Sequence, residues 1–297
     1  MKRVLVVGAG IHGLVTAARE HLAKNQVFII EKRERIGGRG TSEESQGHHL
    51  EHGPHLLLKG GELHTMIKKV SRVKPSLRPL MPYKVMIVGH GMLQPLKDPK
   101  QMLAYKLGND PIRENAVRLV SGWGQDIPER RKALMKGRLC VVGEGWAGLV
   151  GRLASTLEEV GVPIQTGIKV VETFDKGVVT SKGMKIEADI VRMCDGSPTG
   201  KPVKVSTLDV VLDNQPLKGL HGLVKGDVAL IDLAAIHPRK APGMSHFSCI
   251  ALTGGVASIE ELLDERVSGW RSHIVTMRSN NTITLTDSTG HLSDGVI

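Results

Sequence analysis

The chain has 297 residues, 40% hydrophobic and 24% charged, which supports a substantial packed core and excludes disordered and fibrous classes. Its formal net charge of +10 comes from Lys and Arg spread along the chain, without a basic block or interleaved aromatics, so no nucleic acid partner is expected. Cys140, Cys194 and Cys249 form no CxxC pair, and there is neither a signal peptide nor an apolar run of about 18 residues; a reducing, cytoplasmic setting without a transmembrane segment is expected, with peripheral membrane contact left open.

Residues 4–7 are wholly apolar, as a buried parallel strand requires. Glycines follow at 8, 10 and 13, then a helix over 14–24 with Leu14, Ala17, Ala18 and Leu22 on one face, then a second strand over 27–30 that ends at Glu31. Residues 63–70 read as a helix. The stretch 75–99 is broken by five prolines into loops and short edge strands, with a strand at 85–88. Residues 111–136 read as helical with breaks, and 148–160 as a helix closed by Gly161. Extended runs follow at 162–164, 169–174, 177–180, 190–193, 203–212, 228–236 and 247–252. A helix at 258–264 and a last short strand at 282–285 complete the pattern.

Strand, glycine turn, helix, strand and acid within about 30 residues make a dinucleotide-binding βαβ unit. In Gly8-Ala9-Gly10-Ile11-His12-Gly13, Gly8 permits the tight turn, Gly10 leaves room for a pyrophosphate, and Gly13 lets helix and strand pack closely. The helix start at Ile11 and His12 then presents N–H groups to phosphates. Glu31, followed by Lys32, is placed to accept hydrogen bonds from ribose hydroxyls and would repel a 2′-phosphate.

Arg35-Ile36-Gly37-Gly38-Arg39-Gly40-Thr41-Ser42 comes next. The glycine triplet, the acid and this GGR turn together resemble the superfamily of flavin-containing amine oxidases, protoporphyrinogen oxidases and phytoene dehydrogenases. The resemblance implies that Gly37 and Gly38 lie against FAD and that the Arg39 guanidinium meets phosphate. It implies that Gly53, Pro54 and His55 lie on the segment leading towards the flavin; for His55, a packed histidine and a general base both stay open. It gives Val170 a backbone contact to adenine, makes 188–191 a strand returning to the sheet, and puts Asp287 at the ribityl or pyrophosphate part of FAD, an ordinary turn residue being the other reading. Residues 237–243 and 261–270 resemble the phytoene dehydrogenase branch. Thr286 replaces a family glycine, Arg192 interrupts an apolar strand, and the chain stops at Ile297, so a short member is implied, with FAD binding better supported than turnover.

The expected fold is α/β: a doubly wound Rossmann-type FAD-binding domain assembled from 1–72, 138–200 and 272–297, with a smaller, mainly β substrate domain inserted at 73–137 and 201–271. The resemblance implies an FAD-dependent oxidoreductase moving a hydride from a C–H or C–N bond to flavin N5; a catalytically degenerate FAD- or nucleotide-binding protein is the alternative. No metal site and no catalytic side chain can be named. An aromatic content of 3% favours an aliphatic or isoprenoid small-molecule substrate over one held in an aromatic cage.

Overall fold

The computed structural model describes residues 1–53, 55–70, 74–89, 92–97, 110–124, 127–195 and 203–285. They fall into two compact units. One comprises Met1–Thr41, Glu62–Lys74 and Trp146–Thr199; the other comprises Ser42–Gly61, Pro75–Gly145 and Gly200–Ile297.

The first unit is built on a four-stranded parallel sheet in the order Ile164–Gln165, Gln26–Ile30, Arg3–Val7, Ile190–Met193. Val4, Leu5 and Val6 are fully buried, so the strand shows no polar alternation. The helix Ile11–Leu22 buries Ile11, Leu14, Val15, Ala17 and Ala18. The helix Gly145–Glu159 buries Leu149, Leu153 and Leu157 at four-residue spacing. Gly161, at φ +86°, takes the left-handed conformation expected just past a helix end. An antiparallel sheet of Val170–Phe174, Gly177–Thr180 and Lys185–Glu187 packs Val178 against Leu5, Val7 and Ile30. The returning strand Ile190–Met193 pairs in parallel with the first strand, Val4 opposite Ile190. Its Arg192 is exposed and ion-pairs with Glu20 of the helix at 2.9 Å, so the charge that interrupts this run does not enter the core.

The second unit carries a seven-stranded mixed sheet in the order Ile274–Leu285, Val203–Leu212, Ser245–Ala251, Val228–Asp232, Gly222–Lys225, Val85–Gly89, Met92–Pro95. On one face Leu208, Val210, Phe247 and Cys249 pack on Ile259, Leu262 and Leu263 of the helix Gly255–Arg266. On the other, Val205, Ile231 and Ile250 pack on Leu119, Val120 and Trp123 at the helix Pro111–Gly122. The hairpin Ser42–Ser45/His48–Glu51 and a small sheet of Leu57–Leu58, Leu139–Val142 and Leu77–Pro79 complete the β structure.

Three expectations change. The second unit is the larger, not a smaller insertion. Residues 42–61, 138–145 and 274–285, expected in the first unit, belong to the second: Leu139–Val142 pairs with Leu57–Leu58 and Leu77–Pro79, Ile274–Leu285 pairs with Val203–Leu212, and the Glu51 N–H donates to Asp209. The run 228–236 is a strand only to Asp232. There the Asp232 carboxylate accepts the N–H groups of Ala234 and Ala235 at 3.0 Å each and caps a short helix, Leu233–Ile236.

Candidate functional site

The glycine loop of the first unit needs its three glycines for different reasons. Gly8 has φ +109°, and a Cβ there would meet the Cys194 carbonyl. A Cβ on Gly13 would be driven into the Gly8 carbonyl oxygen. Both requirements come from the protein itself. Gly10 is different: its φ is −73°, open to any L-residue, and among the described residues a Cβ would find nothing nearer than Gly38 Cα at 3.8 Å and Gly37 O at 4.0 Å. Neither strain nor crowding demands glycine there. Gly10 also occupies the N-cap position of the helix that begins Ile11, His12, Gly13, and among the described residues no side chain caps that end. A helix start left uncapped, beside a residue with no Cβ and no structural reason to lack one, suits a diphosphate.

The loop is clamped at Ala9. Its N–H donates to Glu31 Oε2 at 2.8 Å, and its carbonyl accepts from Gly37 N–H at 2.8 Å. Glu31 is buried, and its Oε1 accepts the Arg33 N–H at 3.0 Å. Gly37 and Gly38 both have positive φ, +105° and +57°, and the backbone bridges Gly10 to Gly37. Lys32 is exposed next to Glu31. Val170 opens its strand half-buried, packed with the Leu5–Ile30 cluster. Thus Gly8, Gly10, Ile11, His12, Gly13, Glu31, Gly37 and Gly38 form one constellation. The Arg39 side chain, Pro54 and Asp287 lie outside the described residues.

Gly53 and His55 belong to the second unit. The His55 ring is buried, and Nδ1–H donates to the Gly53 carbonyl at 2.7 Å, which fixes the tautomer. Burial holds its pKa below the usual histidine value, against the opposing pull of Glu51, so a neutral packed imidazole results.

Sequence reading missed the buried polar network around it. Glu51 ion-pairs with Lys240 at 2.8 Å and lies 3.6 Å from His55. Asp209 Oδ2 accepts the Glu51 N–H at 2.6 Å and contacts His246 Nε2 at 3.1 Å. Sheet register puts Arg278, Asp209 and Ser248 in one row across three strands. Asp232, its pKa raised by burial, accepts the Ser245 hydroxyl at 2.8 Å. The only sequence hint was an acid and a histidine inside otherwise apolar runs. The thiols offer no nucleophile: burial raises all three, Cys140 to about 11.

Among the described residues no helix is long and apolar enough to cross a membrane. Residues 6–70 match the family described as NAD(P)-binding Rossmann-like domain. A phytoene desaturase of Fusarium fujikuroi is 46% identical over 57 residues, 19% of this chain and 10% of that protein. The matched stretch thus spans about a tenth of the curated relative's length. Two solved structures share the fold over nearly the whole chain. A Pyrococcus furiosus protein has a TM-score of 0.69 at 18% identity, covering 94% of this chain and 88% of that one. Cyclohexylamine oxidase of Brevibacterium oxydans has a TM-score of 0.60 at 14% identity, covering 99% and 90%. Residues 6–70 are thus similar to an NAD(P)-binding Rossmann-like domain, and the chain as a whole shares the fold of the Pyrococcus furiosus protein and of cyclohexylamine oxidase.

Proposed function

We propose that this chain binds FAD through the glycine constellation of its first unit and works as an oxidoreductase of the phytoene dehydrogenase and amine oxidase type. The observation that carries this reading is Gly10: a position beside an uncapped helix start where the fold has room for a side chain and the sequence supplies none. In this reading Glu31 would face the ribose end of the cofactor, while Gly37 and Gly38 keep backbone without side chains beside Gly10 and the helix dipole favours the diphosphate. FAD, when bound, supplies the hydride acceptor for a C–H or C–N bond. The protein's part is to bind, orient and desolvate; in the second unit, His55 is held neutral with its proton on Nδ1. We further propose a small aliphatic or isoprenoid substrate, from the scarcity of aromatic residues, and a cytoplasmic setting.

The test is the absorption spectrum of protein reconstituted with FAD. A bound-flavin spectrum that bleaches with dithionite and recovers with an electron acceptor is expected. Gly10→Ala should keep the fold and lose the flavin; retention of flavin by that variant at wild-type occupancy would remove the basis of the assignment. A second reading, a nucleotide-binding protein without turnover, is favoured by the short reach of the sequence similarity, 57 residues for the phytoene desaturase and residues 6–70 for the family match. A flavin that binds but is never reoxidised by any acceptor supports it.

A further inference from the structure

We infer that Glu31 is a positioning residue for the phosphate loop, separate from any contact with a ribose; the inference rests on the nucleotide-binding reading above. Both of its carboxylate oxygens are engaged by backbone N–H groups, Ala9 at 2.8 Å and Arg33 at 3.0 Å, and the side chain is buried. Ala9 is the middle residue of the Gly8-Ala9-Gly10 turn. Its carbonyl is fixed from the other side by Gly37 N–H, and Gly8 N–H is fixed by Ile30 O at 2.7 Å. With Glu31 removed, the Ala9 N–H loses its partner in a buried setting, and the turn loses one of the bonds that set its shape before any ligand arrives. A loop that must be ordered by its ligand binds that ligand more weakly.

The sign of the effect separates this role from simple electrostatics. Glu31 is an acid beside an anion site, so deleting its charge alone should tighten the binding of a diphosphate or leave it unchanged. Deleting a brace should weaken it. A ribose contact should weaken only ligands that carry the hydroxyls.

The experiment titrates ADP and 2′,3′-dideoxy-ADP into wild-type protein, Glu31→Ala and Glu31→Gln, alongside amide exchange at Ala9 in ligand-free wild type. The dideoxy analogue has no ribose diol for Glu31 to hold. Glu31→Ala should weaken the dideoxy analogue on the order of tenfold, the worth of a hydrogen bond to a charged acceptor. Glu31→Gln, which keeps a carbonyl acceptor for Ala9 and drops the charge, should restore that affinity. The Ala9 amide should exchange slowly without ligand. Unchanged or tighter dideoxy-ADP binding by Glu31→Ala overturns the inference. If that variant does not fold, an Ala9 amide exchanging at the unprotected rate in ligand-free wild type overturns it. Wild-type protein that fails to bind ADP sinks the nucleotide reading instead, and the exchange rate still decides the brace.

Discussion

The glycine loop of the first unit and the buried ionic network of the second solve the same problem in opposite ways. Each must satisfy polar groups away from water. The loop does so with backbone: Gly37 N–H donates to the Ala9 carbonyl and Gly8 N–H to the Ile30 carbonyl, and one carboxylate, Glu31, completes the set. All of its parts lie within 31 residues, from Gly8 to Gly38. The network does so with side chains drawn from segments far apart in sequence, Glu51, Asp209, Asp232, Lys240 and His246. A backbone solution leaves a local glycine pattern; a side-chain solution leaves isolated polar residues. The first tolerates little change in shape, the second little change in charge.

The largest expected effect tests shape. Gly13→Ala should cost more than about 4 kcal/mol, the exceptional end for single substitutions, because its methyl meets the Gly8 carbonyl. Gly10→Ala, three residues away, should cost about 1 kcal/mol or less. Equal losses in urea unfolding would erase the distinction between the two glycines. Next comes charge. Lys240→Met leaves the Glu51 carboxylate buried without its cation and should destabilise by about 3–5 kcal/mol. The double variant Lys240→Met, Glu51→Gln should recover much of this; a double variant no more stable than the single one would show that packing, not pairing, matters there.

A third test uses pH. His221 Nδ1 accepts the Met81 N–H at 3.0 Å, and burial lowers its pKa to about 4. The unfolded chain therefore binds a proton that the folded chain refuses between pH 6.5 and 4. The stability contributed by neutral His221 is complete above that window and lost as pH falls through it. His221→Asn, which keeps an acceptor but does not titrate, should flatten the slope; identical pH profiles would clear His221. A small effect, comparable with that of Gly10→Ala, is expected from Asp110→Ala. It removes the cap whose Oδ1 accepts Ile112 and Arg113 N–H at 3.1 and 3.2 Å, for about 1 kcal/mol.

The same contrast explains what could be read from sequence. The βαβ unit was legible because each step is local: an apolar run, glycines at fixed spacing, an amphipathic helix, an acid. The returning strand at 190–193 was legible from its composition, and its parallel pairing with the first strand fits the expected fold. The strand Ile274–Leu285 was mostly missed. Its Arg278-Ser279-Asn280-Asn281 core has turn-like composition, yet it is held along the length of Val203–Leu212 with two irregularities of register. Pairing between strands overrode local propensity. Asp209 and His246 were missed because they look like errors in apolar runs until register puts them within hydrogen-bonding distance. Asp232 was absorbed into a strand because its capping role depends on where that strand stops.

The pairing of Val4 with Ile190 has a consequence for how the molecule comes into being. The sheet that displays the glycine loop is closed by a strand that leaves the ribosome long after the first one. Between them the chain must supply much of the other unit. The N-terminal segment therefore waits with one edge unpaired, and an exposed edge of apolar parallel strand is a template for the wrong neighbour. Contacts of such long sequence separation also slow folding. Nascent chains stalled before residue 190 should bind chaperones, and those released after residue 195 should bind them less.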